Sequence, residues 1–393
     1  MAFGVSLLEV LGKMQSADIS VYQQRCAVVR NRRATCLRCA DACTSGALSV
    51  HDNKIEVQPE LCVGCGTCAT VCPTCALEAH RPDDAQLQKA VLQAAAANGG
   101  VAVIACKHIV EAALDALDTE KVVAVECLGR VEESLIMALA AAGASRVLLV
   151  EGGCGNCERS QGRTAICAVC ATARELLETW GCSLTVDVVD RLPRSVRSLD
   201  KEFDEGRRAF FFRAKDEAHM AADIAMDVAM RDIAGVAEKP EPRYVKVGAD
   251  GTLPHFVPDR RGRILQSLTQ MGQPEDRLME TRLWGHVEID PVRCDSCQMC
   301  ATFCPTGAIR KFVEADGTMG VDHVPRDCVA CHCCEDICPA EALTVLDEVF
   351  AEDLLTGAAE RHEMRPPKYD LRSSKKTMTI FRDLLECSQV YDR

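Results

Sequence analysis

Residues 294–305 read CDSCQMCATFCP, so Cys294, Cys297, Cys300 and Cys304 follow a C-x2-C-x2-C-x3-C spacing closed by Pro305. The same run recurs at residues 328–339, with Cys328, Cys331, Cys334, Cys338 and Pro339. It occurs again at residues 62–73, with Cys62, Cys65, Cys68, Cys72 and Pro73. A tight loop winding around a cubane points a thiolate inward at every third residue, while its backbone N–H groups face the sulfurs. The proline stops the following helix from extending backward. In such runs three thiolates hold one [4Fe–4S] cube and the fourth reaches the neighbouring cube. Zinc takes its four ligands in two pairs, and disulfide frameworks suit small secreted domains, so neither accounts for three intact runs.

By this pairing Cys294, Cys297 and Cys300 join Cys338, and Cys328, Cys331 and Cys334 join Cys304. The upstream half of the first module, CAVVRNRRATCLRCADACTSGAL, departs from the pattern. Cys36, Cys39 and Cys43 match the second, third and fourth ligands, but Arg33 stands at the first and Thr44 replaces the proline. Cys26 lies further upstream, giving C-x9-C-x2-C-x3-C. If the basic segment from Arg25 to Arg33 loops out, Cys26 closes the site. One cube then falls to Cys62, Cys65, Cys68 and Cys43, and another to Cys26, Cys36, Cys39 and Cys72. The alternative is a degenerate site with a three-iron cluster or none. Cys75, in place of the glycine usual after C-P-T, is a secondary substitute ligand.

The chain carries 26 cysteines in 393 residues and only 4% aromatics, a lean composition that cluster ligation compensates. Its formal charge is −13, and each thiolate-bound cube adds about −2 when oxidised, which argues against nucleic acid or an anionic membrane surface as partner. The start, MAFGVSLLEVLGKMQ, lacks the features of a signal peptide and reads as a short amphipathic helix. No apolar run approaches the roughly 18 residues of a membrane span, so a soluble cytoplasmic protein is expected.

Residues 100–190 change character. VAVIAC (101–106), VVAVEC (122–127), RVLLVEG (146–152) and SLTVDVVD (183–190) are apolar, β-branched runs, separated by helical stretches such as VEESLIMALAAAGA and ARELLETW. Alternation of this kind predicts a parallel sheet covered on both faces. Cys106 and Cys127 end strands, while Cys154 and Cys157 follow the third strand within GGCGNC. In a doubly wound sheet those loops open on one edge, beyond the carboxyl ends of the strands, so topology gathers four thiolates.

CKH after the first strand, ECLGRVEESLIMAL after the second and EGGCGNCERSQG after the third resemble the delta (iron–sulfur) subunit of the heterodisulfide-reductase-associated, viologen-reducing hydrogenase. The resemblance spans about 90 residues. It implies a [2Fe–2S] cluster on Cys106, Cys127, Cys154 and Cys157, and electron passage between a hydrogenase or dehydrogenase and a flavin-containing partner. The family's last pair is usually spaced more widely than the C-x2-C found here. A rival array, Cys154, Cys157, Cys167 and Cys170, spaced C-x2-C-x9-C-x2-C, suits zinc or iron, although Cys167 and Cys170 share a helix face and fit a packing role as well. Cys182 and Cys387 are isolated, and Cys333 between two ligands is a packing residue.

From Ser195 to about Arg282 the chain is charged and cysteine-free, and it reads as a helical connector. One helix carries Met220, Met226 and Met230 on a core face, and PHFVPDRRGRILQSLTQMGQ begins another. The tail, with RPPKYDLRSSKKTM, is basic on an acidic protein and suits docking on a partner subunit. The expected class is α+β with α/β: two ferredoxin-like dicluster domains (residues 1–85 and 283–346) flank a parallel-sheet α/β domain (86–194), with the connector at 195–282 and the docking tail at 347–393. No G-x-G-x-x-G follows a strand, no P-loop or H-E-x-x-H occurs, and no carboxylate pair or nucleophile–base arrangement stands out. Of the nine histidines, His108 is taken as the one near a cluster loop, and as solvated. The expectation is an electron-transfer subunit with four [4Fe–4S] clusters and one [2Fe–2S] cluster, serving a dehydrogenase, hydrogenase or flavoprotein in which catalysis resides. A flavin-containing reductase is the alternative, followed by a redox sensor or cluster scaffold.

Overall fold

The computed structural model describes residues 18–198 and 251–365. The expected opening helix, the helix bearing Met220, Met226 and Met230, Cys387 and the tail beyond residue 365 lie outside the described residues.

The first module begins with β1 (Ile19–Val21), the helical turn α1 (Ala27–Arg30) and α2 (Arg38–Asp41). The hairpin of β2 (Leu48–His51) and β3 (Lys54–Val57) follows, then α3 (Thr67–Val71) and β4 (Leu77–Ala79), which pairs antiparallel with β1. The short helices occupy the third ligand interval of each cysteine run, where the chain turns back towards the sheet.

The middle domain opens with α4 (Asp84–Ala97), whose start is fixed by a capping box between Asp83 and Gln86. Then come β5 (Val101–Cys106), α5 (Lys107–Ala113), β6 (Val123–Val125), α6 (Glu133–Ala141), β7 (Arg146–Val150), α7 (Gln161–Thr179) and β8 (Thr185–Val189). The four strands are parallel in the order β6-β5-β7-β8. Alternation along the strands serves two cores. Ala102, Ile104, Val147 and Leu149 face a large cluster with Val91 of α4, Ile136 and Leu139 of α6, and Val169 of α7. Val103, Ala105, Leu148 and Val150 face a smaller one with Val110 of α5, Leu117 and Val196. Both faces are therefore covered, as continuous β-branched runs require.

After the undescribed stretch, α8 (Asp259–Met271) packs on α6, and Ile264 and Leu268 join the larger core. β9 (Leu278–Glu280) leads into the second module: β10 (His286–Ile289), α9 (Met299–Phe303), β11 (Ile309–Val313), β12 (Met319–His323), α10 (Cys333–Ile337) and β13 (Leu343–Leu346). β10 pairs with β13 and β11 with β12, repeating the plan of the first module. β14 (Glu348–Phe350) returns to pair with β9, α11 (Ala351–Thr356) follows, and β15 (Glu360–Met364) adds a third strand beside β12.

The two modules do not hang separately from the middle domain. Met299, Phe303, Cys333 and Ile337 of the second share one core with Val28, Val29, Cys39 and Leu77 of the first. Among the described residues no helix is long and apolar enough to cross a membrane.

Candidate metal centres

Every described cysteine is free of disulfides. In the second module the thiols of Cys297 and Cys300 are pushed up by burial and interact with Cys294 and Cys338. Burial likewise pushes Cys328 up to about 11, with Cys304 adding repulsion, while Cys334 interacts with Cys331, Cys328 and Cys304. The chain thus brings together Cys294, Cys297, Cys300 and Cys338, and separately Cys328, Cys331, Cys334 and Cys304. A small apolar pocket opens among the latter, lined by Cys304, Ile309, Cys328, Cys331, Cys334 and Val345.

The first module behaves alike despite its irregular sequence. Cys68, pushed up by burial, interacts with Cys65, Cys62 and Cys43, and a small apolar pocket lies among these four. Burial pushes Cys26 up to about 12, with Cys72 and Cys36 as charged neighbours, and Cys39 interacts with Cys72, Cys26 and Cys36. Cys26, Cys36, Cys39 and Cys72 are therefore brought together. The segment between Cys26 and Cys36 does not loop out. It turns inward as α1, with Val28, Val29 and Arg30 buried. Apolar Val28 and Val29 belong in the shared core, and Arg30 finds its acceptors there, which is why an excluded loop does not form.

In the middle domain the strand ends deliver their cysteines to one edge. Burial pushes Cys127 up to about 11, with Cys65, Cys106 and Cys154 as neighbours; Cys154, also raised by burial, interacts with Cys106 and Cys157. The order β6-β5-β7 puts β5 between strands reached in opposite directions, and ligand sites form at such switch points. Glycines permit the crowding. A Cβ at Gly162 would overlap the Cys127 sulfur, and one at Gly152 would stand 3.3 Å from the Cys106 sulfur. Arg159 bridges the loops, donating to the Glu126 carbonyl at 3.3 Å, and Lys107 pairs with the Glu126 carboxylate at 2.6 Å.

Backbone N–H groups point at the sulfurs throughout. Ala76 donates to Cys72 at 3.2 Å, Gly129 to Cys127 at 3.4 Å, Arg159 to Cys157 at 3.4 Å, Ser296 to Cys294 at 3.4 Å and Ala342 to Cys338 at 3.3 Å. Such donors favour thiolate, whereas burial alone disfavours it, so the groups suit a cationic metal core that deprotonates them. A buried cation makes the same point. Arg261 is 4% exposed, its Nη1 lacks a hydrogen-bond partner, and burial with Arg260 alongside lowers its pKa to about 9. Its neighbours include Cys75 and Glu133, and it acts in turn on Cys328, where anionic metal–thiolate groups would add counter-charge.

Residues 101–189 match the family model of the methyl-viologen-reducing hydrogenase delta subunit. Residues 285–342 match a 4Fe-4S dicluster domain, and residues 54–77 match a 4Fe-4S binding domain. The middle domain is thus similar to that delta subunit over this stretch. No curated protein and no solved structure matches the chain. A domain similar to the delta subunit, flanked by iron–sulfur domains, supports a redox electron-transfer role.

The rival double C-x2-C array has its second pair on α7 of the middle domain. Cys170 is 2% exposed inside the larger core, beside Ile166, Val169 and Ala173, while Cys167 is exposed. The charged neighbours of Cys170 are Arg174, Cys167, Glu133 and Asp187. Cys182 packs at the edge of the same core, and Cys333 is fully buried between the modules, its sulfur 3.8 Å from the Phe303 carbonyl. His108 is exposed on α5. It is not the sole histidine near a cysteine run: His332 lies between Cys331 and Cys333, bonded to Glu335 at 2.8 Å, and His255 Nδ1 lies 3.0 Å from the Cys304 carbonyl.

The largest omission from the sequence reading is the DRRGR start of α8, taken as part of a connector. Arg260 reaches under the first module, donating to the carbonyls of Ala69 at 3.2 Å, Thr70 at 3.3 Å and Cys72 at 2.7 Å, and to the Cys75 sulfur at 3.1 Å. Burial opposes its charge, but Cys75, Glu132 and Glu133 hold it protonated. Cys75 takes φ +48° where its counterparts are Gly307 at +73° and Glu341 at +47°, and the left-handed turn leaves its thiol facing Arg260. Arg263 pairs with Asp84 at 2.5 Å, and Asp84 also takes Arg130 at 2.5 Å. Three basic residues at one helix start on an acidic chain were the available signal.

Proposed function

We propose that this chain is the wiring subunit of an oxidoreductase complex, holding four [4Fe–4S] clusters and one [2Fe–2S] cluster in a single unbranched series. The clusters supply one-electron carriage, and the chain supplies order, insulation and charge. The observation that carries the reading is the succession of neighbouring thiols. Cys127 of the delta-subunit domain interacts with Cys65, and Cys68 with Cys39 of the irregular group. That group meets the second module across the shared core, where Arg38 donates to the Ala330 carbonyl at 3.2 Å and Thr35 N–H to Asp336 at 3.0 Å. Cys334 then interacts with Cys300 of the last group.

The series has two ends, one at the strand edge with Cys106, Cys127, Cys154 and Cys157, the other at Cys294, Cys297, Cys300 and Cys338. Each end suits a different partner, a dehydrogenase or hydrogenase at one and a flavoprotein at the other, in a cytoplasmic anaerobic setting. The test is anaerobic affinity purification from the native host. A co-purifying dehydrogenase, hydrogenase or flavoprotein is expected, and Cys36→Ser should keep the partners bound while abolishing electron passage through the complex. Recovery of the chain alone, with flavin released on acid treatment, would overturn this reading in favour of a self-contained reductase.

A further inference from the structure

His286 opens β10, His323 closes β12 and Glu360 opens β15, so three strands from two different sheets converge on one point. One donor atom from each side chain lies within 4.8 Å of the other two. His286 Nδ1 stands 3.1 Å from Glu360 Oε1, and His323 Nδ1 stands 3.4 Å from Oε2, so each carboxylate oxygen faces one imidazole. The rings are perpendicular, at 86° with centroids 6.2 Å apart, and thus converge instead of stacking. His323 is fully buried, and its Nε2 has no hydrogen-bond partner.

We propose that His286, His323 and Glu360 hold a zinc ion that ties β15 to the second ferredoxin module. Two imidazoles and a carboxylate form an accepted zinc donor set, leaving a fourth position for water. Donors placed about 2.0–2.1 Å from a tetrahedral ion stand about 3.3 Å apart, and each imidazole stands near that distance from one oxygen of the Glu360 carboxylate, with all three donors within 4.8 Å. The longer of the two, 3.4 Å, is a poor hydrogen bond, so a proton shared between the groups explains the cluster less well. One further carboxylate is at hand: Asp353 faces Glu360 and His286. The thiol groups sit elsewhere, so this oxygen–nitrogen site would not compete for iron held by cysteine.

The ion would add a link that the backbone lacks. β10 and β15 belong to sheets with no ladder between them. β15 is otherwise held by its pairing with β12 and by exposed ion pairs from Arg361 to Asp322 and Glu314, and such pairs contribute little. A cross-sheet ion would fix the point from which the chain leaves the module.

The test uses the full-length chain, purified anaerobically, washed with EDTA, given one equivalent of zinc and desalted, with zinc and iron measured on the same sample. About one zinc per chain is expected, with an X-ray absorption first shell of nitrogen and oxygen at about 2.0–2.1 Å and not thiolate at about 2.3 Å. Glu360→Gln and His286→Ala should each lower retained zinc at least tenfold while iron stays constant. Background zinc, a thiolate shell, or equal retention by both variants would overturn the proposal; constant iron shows that the variants still fold.

Discussion

In the second ferredoxin module two residues separate Cys294 from Cys297, and the loop turns left-handed at Ser296 and Gln298; the companion loop does the same at Ala330 and His332. In the first module Gly64 and Gly66 take those two positions in one loop, but the other loop has nine residues between Cys26 and Cys36, and Leu37 lies at φ −119°. The regular module wraps each group with local backbone. The irregular one spends its extra residues on its neighbour. Arg30, on the inserted turn, is 2% exposed and donates to the carbonyls of Phe303 at 3.2 Å, Cys304 at 3.2 Å and Pro254 at 2.8 Å. The difference teaches that a broken motif can mark a junction: the insertion replaces a loop that shields with a turn that docks.

The largest expected effect tests whether Cys26 has taken over from the residue at the Arg33 position. Cys26→Ser should cost about one to four irons per chain and one [4Fe–4S] signal in the reduced electron paramagnetic resonance spectrum. An unchanged count would make the irregular loop a degenerate site. Next, Arg30→Met should leave buried carbonyls without a donor and lower the midpoint of thermal cluster loss by about 5–10 °C, with iron content intact at low temperature. A shift no larger than that of an exposed arginine variant such as Arg191→Met would mean that the inserted turn does not join the modules.

Electrostatics separates the modules more finely. Arg260→Met removes a buried cation beside Cys72 and Cys75, which stabilises the oxidised state and should lower one cluster potential by about 60 mV, while the Cys294 group keeps its own. Equal shifts in both modules would point to a global rearrangement. The smallest effect concerns backbone strain. Ala330 sits at φ +46° where the first module uses Gly64, so Ala330→Gly should stabilise the chain by up to about 1 kcal/mol. Destabilisation would mean that its methyl group, fully buried at the junction, contributes more through packing than the backbone loses.

Much of this was legible from sequence because the relevant information is local. Each regular run encodes its own loop within twelve residues, and the strand-end cysteines follow from alternation of strands and helices, since parallel topology places those loops on one edge. What escaped was non-local. Arg30 and Phe303 are 273 residues apart, and Arg260 and Ala69 are 191 apart, so nothing in the flanking sequence names the acceptor. The insertion was expected to loop out because a basic stretch reads as solvated, yet its Arg30 is buried and donates to carbonyls at the junction. His286, His323 and Glu360 escaped for the same reason: 74 residues and four intervening strands separate the first from the last.

The central claim is that five thiol groups form one unbroken series. Native mass spectrometry of the anaerobically purified chain counts them directly. The account predicts a principal species with about 18 irons and about 18 sulfides, from four cubes and one binuclear centre. A fully loaded species with about 14 irons or fewer would remove a link and contradict it.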